Sequence, residues 1–112
     1  MTYKQFDVVV VPFPFTDSAK QKRRPALVLS ENGAFNDQIG HSVMAMITSE
    51  KNAPWPLDVQ LANLDQAGLP AASVVRLKLF TLDHRFVIDT IGSLSPADQK
   101  AVQQSLRTLI NC

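Results

Sequence analysis

Hydrophobic residues occur in short runs separated by proline, glycine and polar residues, a pattern typical of a chain built mainly from β-strands. Residues 6–11 form one continuous, largely β-branched run bounded by Pro12 and Pro14, which predicts a strand buried on both faces. Further strands are predicted at residues 26–30, 41–48, 57–61 and 73–78, with a short sixth strand at residues 86–88. Many short strands with irregular loops favour a small, strongly bent barrel or a sandwich, and the pattern alone does not choose between these two folds.

The last part of the chain changes to helical periodicity. Ser95 has the side chain of a helix N-cap, and Pro96 suits the first helical position. The residues beyond them form an apolar face, made of Val102, Leu106, Leu109 and Ile110, and a polar face, made largely of Lys100, Gln103, Gln104 and Arg107. This spacing predicts a C-terminal helix that packs its apolar face on the sheet.

Length, composition and cysteine content limit the class of protein. With 112 residues, of which 46% are hydrophobic, the chain is long enough for one core and too short for two, so we expect a single domain over residues 1–112. Its one cysteine, Cys112, permits neither an intrachain disulfide nor a cysteine metal site. The sequence shows no secretory signal and no apolar run of about 20 residues, which predicts a cytoplasmic protein that does not enter membranes.

Charge is balanced over the whole chain and concentrated locally. The net charge of +1 does not mark the entire surface as basic, so any site for a polyanion must be a local patch. Two patches are visible in the sequence: Lys20, Lys22, Arg23 and Arg24 precede one predicted strand, and Arg76, Lys78 and Arg85 occupy a later segment. If the fold brings both patches to one face, they would form a cationic groove.

Arg24 is the strongest single candidate for binding an anion. Pro25 restricts the backbone of Arg24 to extended conformations, and the apolar residues that follow favour a covered strand. A guanidinium mounted in this way presents a planar fork of donors to a phosphate. From these residues alone, an ordinary solvated loop is an equally good interpretation.

Several motifs in a fixed order are similar to those of the MazF/PemK family of toxin endoribonucleases. They are DVVVVPFPFTD at residues 7–17, KRRPALVL at 22–29, AMIT at 45–48, SVVRLK at 73–78 and TLD at 81–83. The resemblance implies a mainly β fold with a C-terminal helix, an SH3-like small barrel that works as a homodimer. It also implies sequence-specific cleavage of single-stranded RNA, often messenger RNA, without a metal or other cofactor, and neutralisation by a cognate antitoxin.

The resemblance also implies roles for individual residues. Arg24 and Thr48, with Ser49 beside it, match the family's catalytic positions. RNA itself is expected to contact Lys22, Arg23, Trp55, Arg76 and Lys78. No metal ligands are expected, because the sequence shows no clustered carboxylates and no His/Cys spacing.

Two catalytic roles stay open at the level of sequence. Arg76 is followed by Leu77 and Lys78 where some relatives carry an acidic residue, so it could be a general acid or a phosphate clamp. The acceptor of the 2′-OH proton could be Asp17, Glu50 or a phosphate oxygen of the substrate.

Other residues have simpler interpretations, and a second function class is open. Trp55 could stack on an unpaired base or pack on a partner subunit, and Phe13 and Phe15 are expected to anchor their loop. Asp83 is expected to cap a turn, and His41 and His84 to be structural or solvated. A toxin with this barrel that binds and poisons DNA gyrase, and cuts no RNA, is the alternative function.

Overall fold

A computed structural model describes residues 2–13 and 22–111 of the protein. In this part of the chain, six antiparallel strands form one sheet. The strands are β1 (Asp7–Phe13), β2 (Lys22–Val28), β3 (His41–Ser49), β4 (Val59–Gln60), β5 (Ser73–Asp83) and β6 (Asp89–Ser93). They pair in the order β4, β5, β3, β2, β1, β6 and curve into a half-barrel. The predicted mainly β fold of the SH3-like barrel type is confirmed.

Helical segments connect and close the sheet. A π-helical turn (Asn32–Asn36) leads into the short helix α1 (Asp37–Ile39), α2 (Leu64–Ala67) follows β4, and the C-terminal helix is α3 (Pro96–Ile110). The π-helical turn, α1 and α2 were not predicted from the sequence. Within the described part of the chain, no helix has both the length and the apolar character that a membrane crossing requires.

The core lies on both faces of the central strands. Val8 and Leu27 point into one buried cluster, whereas Val9, Val11 and Val28 point into a second cluster on the opposite face. Successive side chains of a strand alternate between faces, so a strand with apolar residues at every position must be covered on both sides. The prediction that the first strand is buried on both faces is therefore confirmed.

Helix α3 begins as predicted and packs over only part of its length. The Ser95 hydroxyl accepts the N–H of Asp98 at 3.3 Å, and Pro96 occupies the first turn. Val102 is fully buried in the core, but Leu109 and Ile110 are 45% and 53% exposed. The expectation that all four apolar residues pack on the sheet is thus wrong for the last turn, because the core ends before the helix does.

The buried Asp98 carboxylate fixes the start of α3 against the segment after β4. Its oxygens accept the backbone N–H groups of Ala62, at 3.0 and 3.2 Å, and of Asn63, at 3.1 Å. These charge-assisted hydrogen bonds hold the helix beside the edge strand β4.

The region after β5 differs from the prediction. Strand β5 continues to Asp83, beyond the predicted end at residue 78. It does so because β3 pairs with it from Ser73 to Asp83, where the partner residue is His41. No strand forms at residues 86–88: the chain makes a 3₁₀ turn (His84–Phe86), and the sixth strand is β6. The Asp83 carboxylate starts this turn by accepting the N–H of Arg85 at 2.9 Å, which confirms its predicted capping role.

Candidate functional site

One pocket, of about 200 Å³, collects residues from both basic patches of the sequence. Its walls come from the ends of β1 and β2, the end of β3 with the loop that follows, and the middle of β5. The lining residues are Phe13, Arg24, Met46, Ile47, Thr48, Asn52, Arg76 and Lys78.

Strand register explains why residues so distant in sequence meet here. Ala26 pairs with Met46 between the antiparallel strands β2 and β3. In that register Arg24, two positions before Ala26, falls opposite Thr48, two positions after Met46. On the other side of β3, Met46 pairs with Arg76. Three neighbouring strands therefore bring Arg24, Thr48 and Arg76 to one opening.

The Thr48 hydroxyl is held by the loop that follows β3. The side-chain amide of Asn52 donates a hydrogen bond to the Thr48 Oγ1 at 2.6 Å. A hydroxyl has one proton and two lone pairs, so accepting this bond leaves its own O–H free to donate. Asn52 was not predicted as a site residue, although its position four residues after Thr48 is visible in the sequence.

Ser49 lies beside this pocket and not in its wall. It lines a neighbouring depression of about 250 Å³, whose lining also includes Arg24 and Thr48. Its hydroxyl accepts the backbone N–H of Lys51 at 3.2 Å.

Arg76 is held in place by three side-chain hydrogen bonds. Its Nε and Nη2 donate to the two carboxylate oxygens of Asp58, at 3.3 and 3.0 Å, and Nη2 also donates to the carbonyl of Ala53 at 2.8 Å. Burial by itself would raise the pKa of the Asp58 carboxyl. The hydrogen bond from Arg76, the N–H of Trp55 and the positive charge of Arg76 outweigh that effect and leave this pKa below its usual value.

Trp55 lies over two of the pocket's cations. The Cζ of Arg76 is 5.2 Å from the ring centroid, and the Nζ of Lys78 is 5.1 Å from it, both within the range of a cation–π interaction. The ring is nevertheless 44% exposed. Stacking on an unpaired base and packing on a partner subunit both stay predictions for Trp55. Its contact with Arg76 and Lys78 was not predicted.

The charged side chains that line the pocket are all basic. Of its described lining residues, Arg24, Arg76 and Lys78 carry positive charge and none is acidic, since Asp58 lies behind Arg76. A concave site with convergent cations and a hydroxyl donor suits a phosphate group. Among residues 2–13 and 22–111, no cluster of three or more His, Cys, Asp or Glu is placed to hold a metal ion.

The remaining predicted residues lie at or beyond the margin of the pocket. Lys22 and Arg23 are exposed on β2, opposite Phe13 and Pro12 of β1, and do not line it. Glu50 is exposed and accepts a hydrogen bond from the Gln60 amide at 2.8 Å. The positions of Phe15, Asp17 and Lys20 lie outside the described residues.

The two histidines and Arg85 lie at the far end of β5. The Nε2 of His84 is 2.7 Å from the Ser42 hydroxyl, and its ring packs edge-on against Tyr3. Burial, and secondarily the charge of His41, lowers the pKa of His84. Since Arg85 pairs with Asp83 at this end, it does not join the cationic groove that the sequence suggested.

Comparison with known proteins identifies a sequence family and solved structures with a similar fold. The sequence profile of a family described as "PemK-like, MazF-like toxin of type II toxin-antitoxin system" matches residues 4–110. No curated protein sequence matches the chain.

Solved structures share the fold over nearly the whole chain. A MazE-MazF crystal structure from Deinococcus radiodurans is 24% identical with a TM-score of 0.78, covering 99% of this chain and 98% of that one. An endoribonuclease in complex with its cognate antitoxin, from a mycobacterial species, is 20% identical with a TM-score of 0.76, over 98% and 94%. The Mycobacterium tuberculosis toxin MazF-mt6 is 18% identical with a TM-score of 0.73, over 94% and 96%.

Proposed function

The chain belongs to the PemK-like, MazF-like toxin family of type II toxin-antitoxin systems, and we propose that it is a sequence-specific endoribonuclease that cuts single-stranded RNA without a metal ion. One observation carries this proposal. A single pocket contains Arg24, Thr48 and Arg76 on three adjacent strands, and none of its described lining residues is acidic. Such a site fits the phosphate of a nucleic-acid backbone.

RNA carries the nucleophile for its own cleavage. The 2′-oxygen attacks the adjacent phosphorus, and the bond from phosphorus to the 5′-oxygen breaks. The 2′-OH proton passes to an acceptor and a proton is delivered to the 5′-oxygen, so the products end in a 2′,3′-cyclic phosphate and a 5′-hydroxyl. The enzyme must align these groups and stabilise the charge that grows on the phosphorane, and neither task requires a metal.

The pocket residues divide this work. Arg24 donates to the non-bridging oxygens as their charge increases. Thr48 donates its hydroxyl proton to a phosphate oxygen, since Asn52 already occupies one of its acceptor sites. Ser49, beside the pocket, contacts the neighbouring phosphate.

Arg76 acts as a phosphate clamp in this mechanism. A guanidinium held by the carboxylate of Asp58 keeps its planar set of N–H donors in a fixed place, which suits binding of phosphate oxygens. Glu50 lies outside the pocket lining and bonds to Gln60, which leaves Asp17 and a substrate phosphate oxygen as the proposed proton acceptors.

The RNA on either side of the cut would follow the remaining cations. Lys78 lines the pocket, and Lys22 and Arg23 extend positive charge along exposed β2. The exposed ring of Trp55 offers a surface on which an unpaired base could stack.

We further propose that the toxin is a cytoplasmic homodimer that a cognate antitoxin inhibits by covering the pocket. One of the similar structures is described as an endoribonuclease in complex with its cognate antitoxin, and another as MazE-MazF. An acidic, partly disordered antitoxin segment would complement the cations at Arg24, Arg76 and Lys78.

Sequencing of RNA ends tests the activity. The purified protein is incubated with a labelled pool of single-stranded RNA in EDTA, and new ends are mapped. We expect cuts at a short recurring sequence with 2′,3′-cyclic phosphate and 5′-hydroxyl ends. Intact RNA together with inhibition of DNA gyrase would favour the alternative toxin, and cleavage that needs added magnesium would refute the metal-free mechanism.

A further inference from the structure

The hydrogen bonds of Arg76 use the donors on two of its three guanidinium nitrogens, Nε and Nη2. An arginine side chain has five N–H donors in a fixed plane. Three of them, one on Nε and two on Nη2, point to Asp58 and to the carbonyl of Ala53. Within the part of the chain that the structure describes, the two donors on Nη1 have no hydrogen-bond partner.

Fixing two nitrogens of a planar guanidinium sets the direction of the third. Because the Nε and Nη2 side of Arg76 faces Asp58, its Nη1 must point away from that carboxylate. Arg76 also lines the cationic pocket, and its side chain is only 11% exposed. The free donors are therefore directed by the protein before any ligand binds, which reduces the cost of ordering them.

Asp58 is itself held in place by the loop that leads to β4. Its Oδ2 accepts the backbone N–H of Trp55 at 3.0 Å, and the ring of Trp55 covers the guanidinium of Arg76. Pro54 and Pro56 flank that tryptophan and fix their own φ angles. We call the Ala53 carbonyl, Trp55 and Asp58 the arginine seat.

We propose that Asp58 is a positioning residue for RNA cleavage: through the arginine seat it aims the Nη1 donors of Arg76 at the scissile phosphate. This inference rests on the proposed ribonuclease function and adds a residue outside the pocket wall to it. Asp58 is not a proton acceptor here, since both of its oxygens already accept hydrogen bonds from Arg76.

A double-mutant cycle tests the proposal. Asp58→Asn, Arg76→Ala and the double variant are compared with the wild type for kcat and KM on an RNA with one cleavage site. We expect Asp58→Asn to lower kcat by about 10- to 100-fold with a smaller change in KM, because misaimed donors lose contacts that matter mainly in the transition state. In the Arg76→Ala background, the further change Asp58→Asn should not lower kcat any more.

Asp65→Asn is the matched control, since it removes the same charge from the exposed surface of α2 and lies outside the pocket lining. It should cleave like the wild type. Cleavage by Asp58→Asn at the wild-type rate, or losses that multiply in the double variant, would overturn the positioning role. A wild-type protein that cuts no RNA would instead overturn the proposed function.

Trp55 gives a readout that does not depend on activity. It is the only tryptophan of the chain, and the guanidinium of Arg76 lies over its ring. Asp58→Asn and Arg76→Ala should both change the fluorescence emission of folded protein, and Asp65→Asn should not. An unchanged spectrum in folded Asp58→Asn would show that the seat does not hold the arginine.

If Asp58→Asn fails to fold, Arg76→Lys gives a second test. Lysine keeps the charge but lacks the planar fork, so it has no Nη1 donors for Asp58 to aim. We expect Arg76→Lys to lose nearly as much kcat as Arg76→Ala. Cleavage by Arg76→Lys within about twofold of the wild type would mean that charge alone suffices, and the proposal would be wrong.

Discussion

Strand β5 contributes one residue to each of two arginine–aspartate pairs in different surroundings: Arg76 within the strand and Asp83 at its end. The Nη2 of Arg76 is 3.0 Å from the Oδ2 of Asp58, and the two side chains are only 11% and 13% exposed. The Nη2 of Arg85 is 2.8 Å from the Oδ2 of Asp83, but the Arg85 side chain is 83% exposed. The same two side-chain types thus form a largely buried pair beside the pocket and an open pair at the opposite end.

The difference shows that a short distance alone does not identify a functional pair. At the open end, Asp83 caps a turn, and its partner Arg85 extends into solvent, where ion pairs contribute little to stability. At the pocket end, the carboxylate of Asp58 and the ring of Trp55 enclose Arg76. There the protein binds the Nε and Nη2 donors of the guanidinium and leaves those on Nη1 for a ligand.

The largest expected effect separates Arg24 from Arg85. Arg24→Ala should reduce RNA cleavage by about 1,000-fold, because it removes a donor from the developing charge on phosphorus. Arg85→Ala should leave the rate unchanged, since Arg85 lies at the far end of β5. Single-turnover rates on one RNA, with circular dichroism to confirm folding, provide the measurement. Full activity in Arg24→Ala would remove the central catalytic assignment.

The free energy of unfolding should depend more on the Arg76–Asp58 pair than on the Arg85–Asp83 pair. Asp58→Ala leaves the largely buried guanidinium of Arg76 without its carboxylate, and we expect a loss of about 2 kcal/mol in the free energy of unfolding. Asp83→Ala should cost less, because its partner Arg85 is exposed and stays hydrated without the carboxylate. Urea unfolding of both variants measures the difference. An equal or larger loss for Asp83→Ala would contradict the ranking.

How much of this could be predicted from sequence differs between the two ends. The pocket's Arg24, Thr48, Arg76 and Lys78 were expected as site residues because they lie in motifs that resemble those of the MazF/PemK family, and antiparallel register brings them together. The role of Asp58 was not predicted. It contacts Arg76 across 18 positions, through a loop whose path depends on the packed fold.

Two further errors have similar physical causes. The turn at Asp83 ends β5 and delays the sixth strand to Asp89, although residues 86–88 have the β-forming composition of a strand. Helical periodicity correctly aligned Leu109 and Ile110 with the apolar face, but periodicity does not reveal where the core stops. Local patterns therefore predicted most of the strands and the C-terminal helix, and tertiary contacts decided where they end.

A smaller effect is expected from the cations that bind RNA without taking part in the chemistry. Lys78→Ala should weaken binding of a 2′-O-methyl RNA, which has no free nucleophile, by about three- to tenfold. The slope of log affinity against log salt should fall by about 0.7, the value for one phosphate contact on a single strand. Arg85→Ala should change neither quantity. Fluorescence anisotropy across a salt series measures both, and an unchanged slope for Lys78→Ala would place Lys78 outside the RNA path.

The smallest effect concerns acid stability at the open end. The hydrogen bonds from the Arg85 side chain and backbone N–H lower the pKa of Asp83 to about 2. Because this value is below that of an unfolded aspartate, about 3.9, the charged form stabilises the fold above pH 4. That contribution should fade as the pH decreases from about 5 to about 2. Asp83→Asn should therefore lose less stability than the wild type over this interval in thermal melts, and parallel curves for the two proteins would show that the open pair does not contribute.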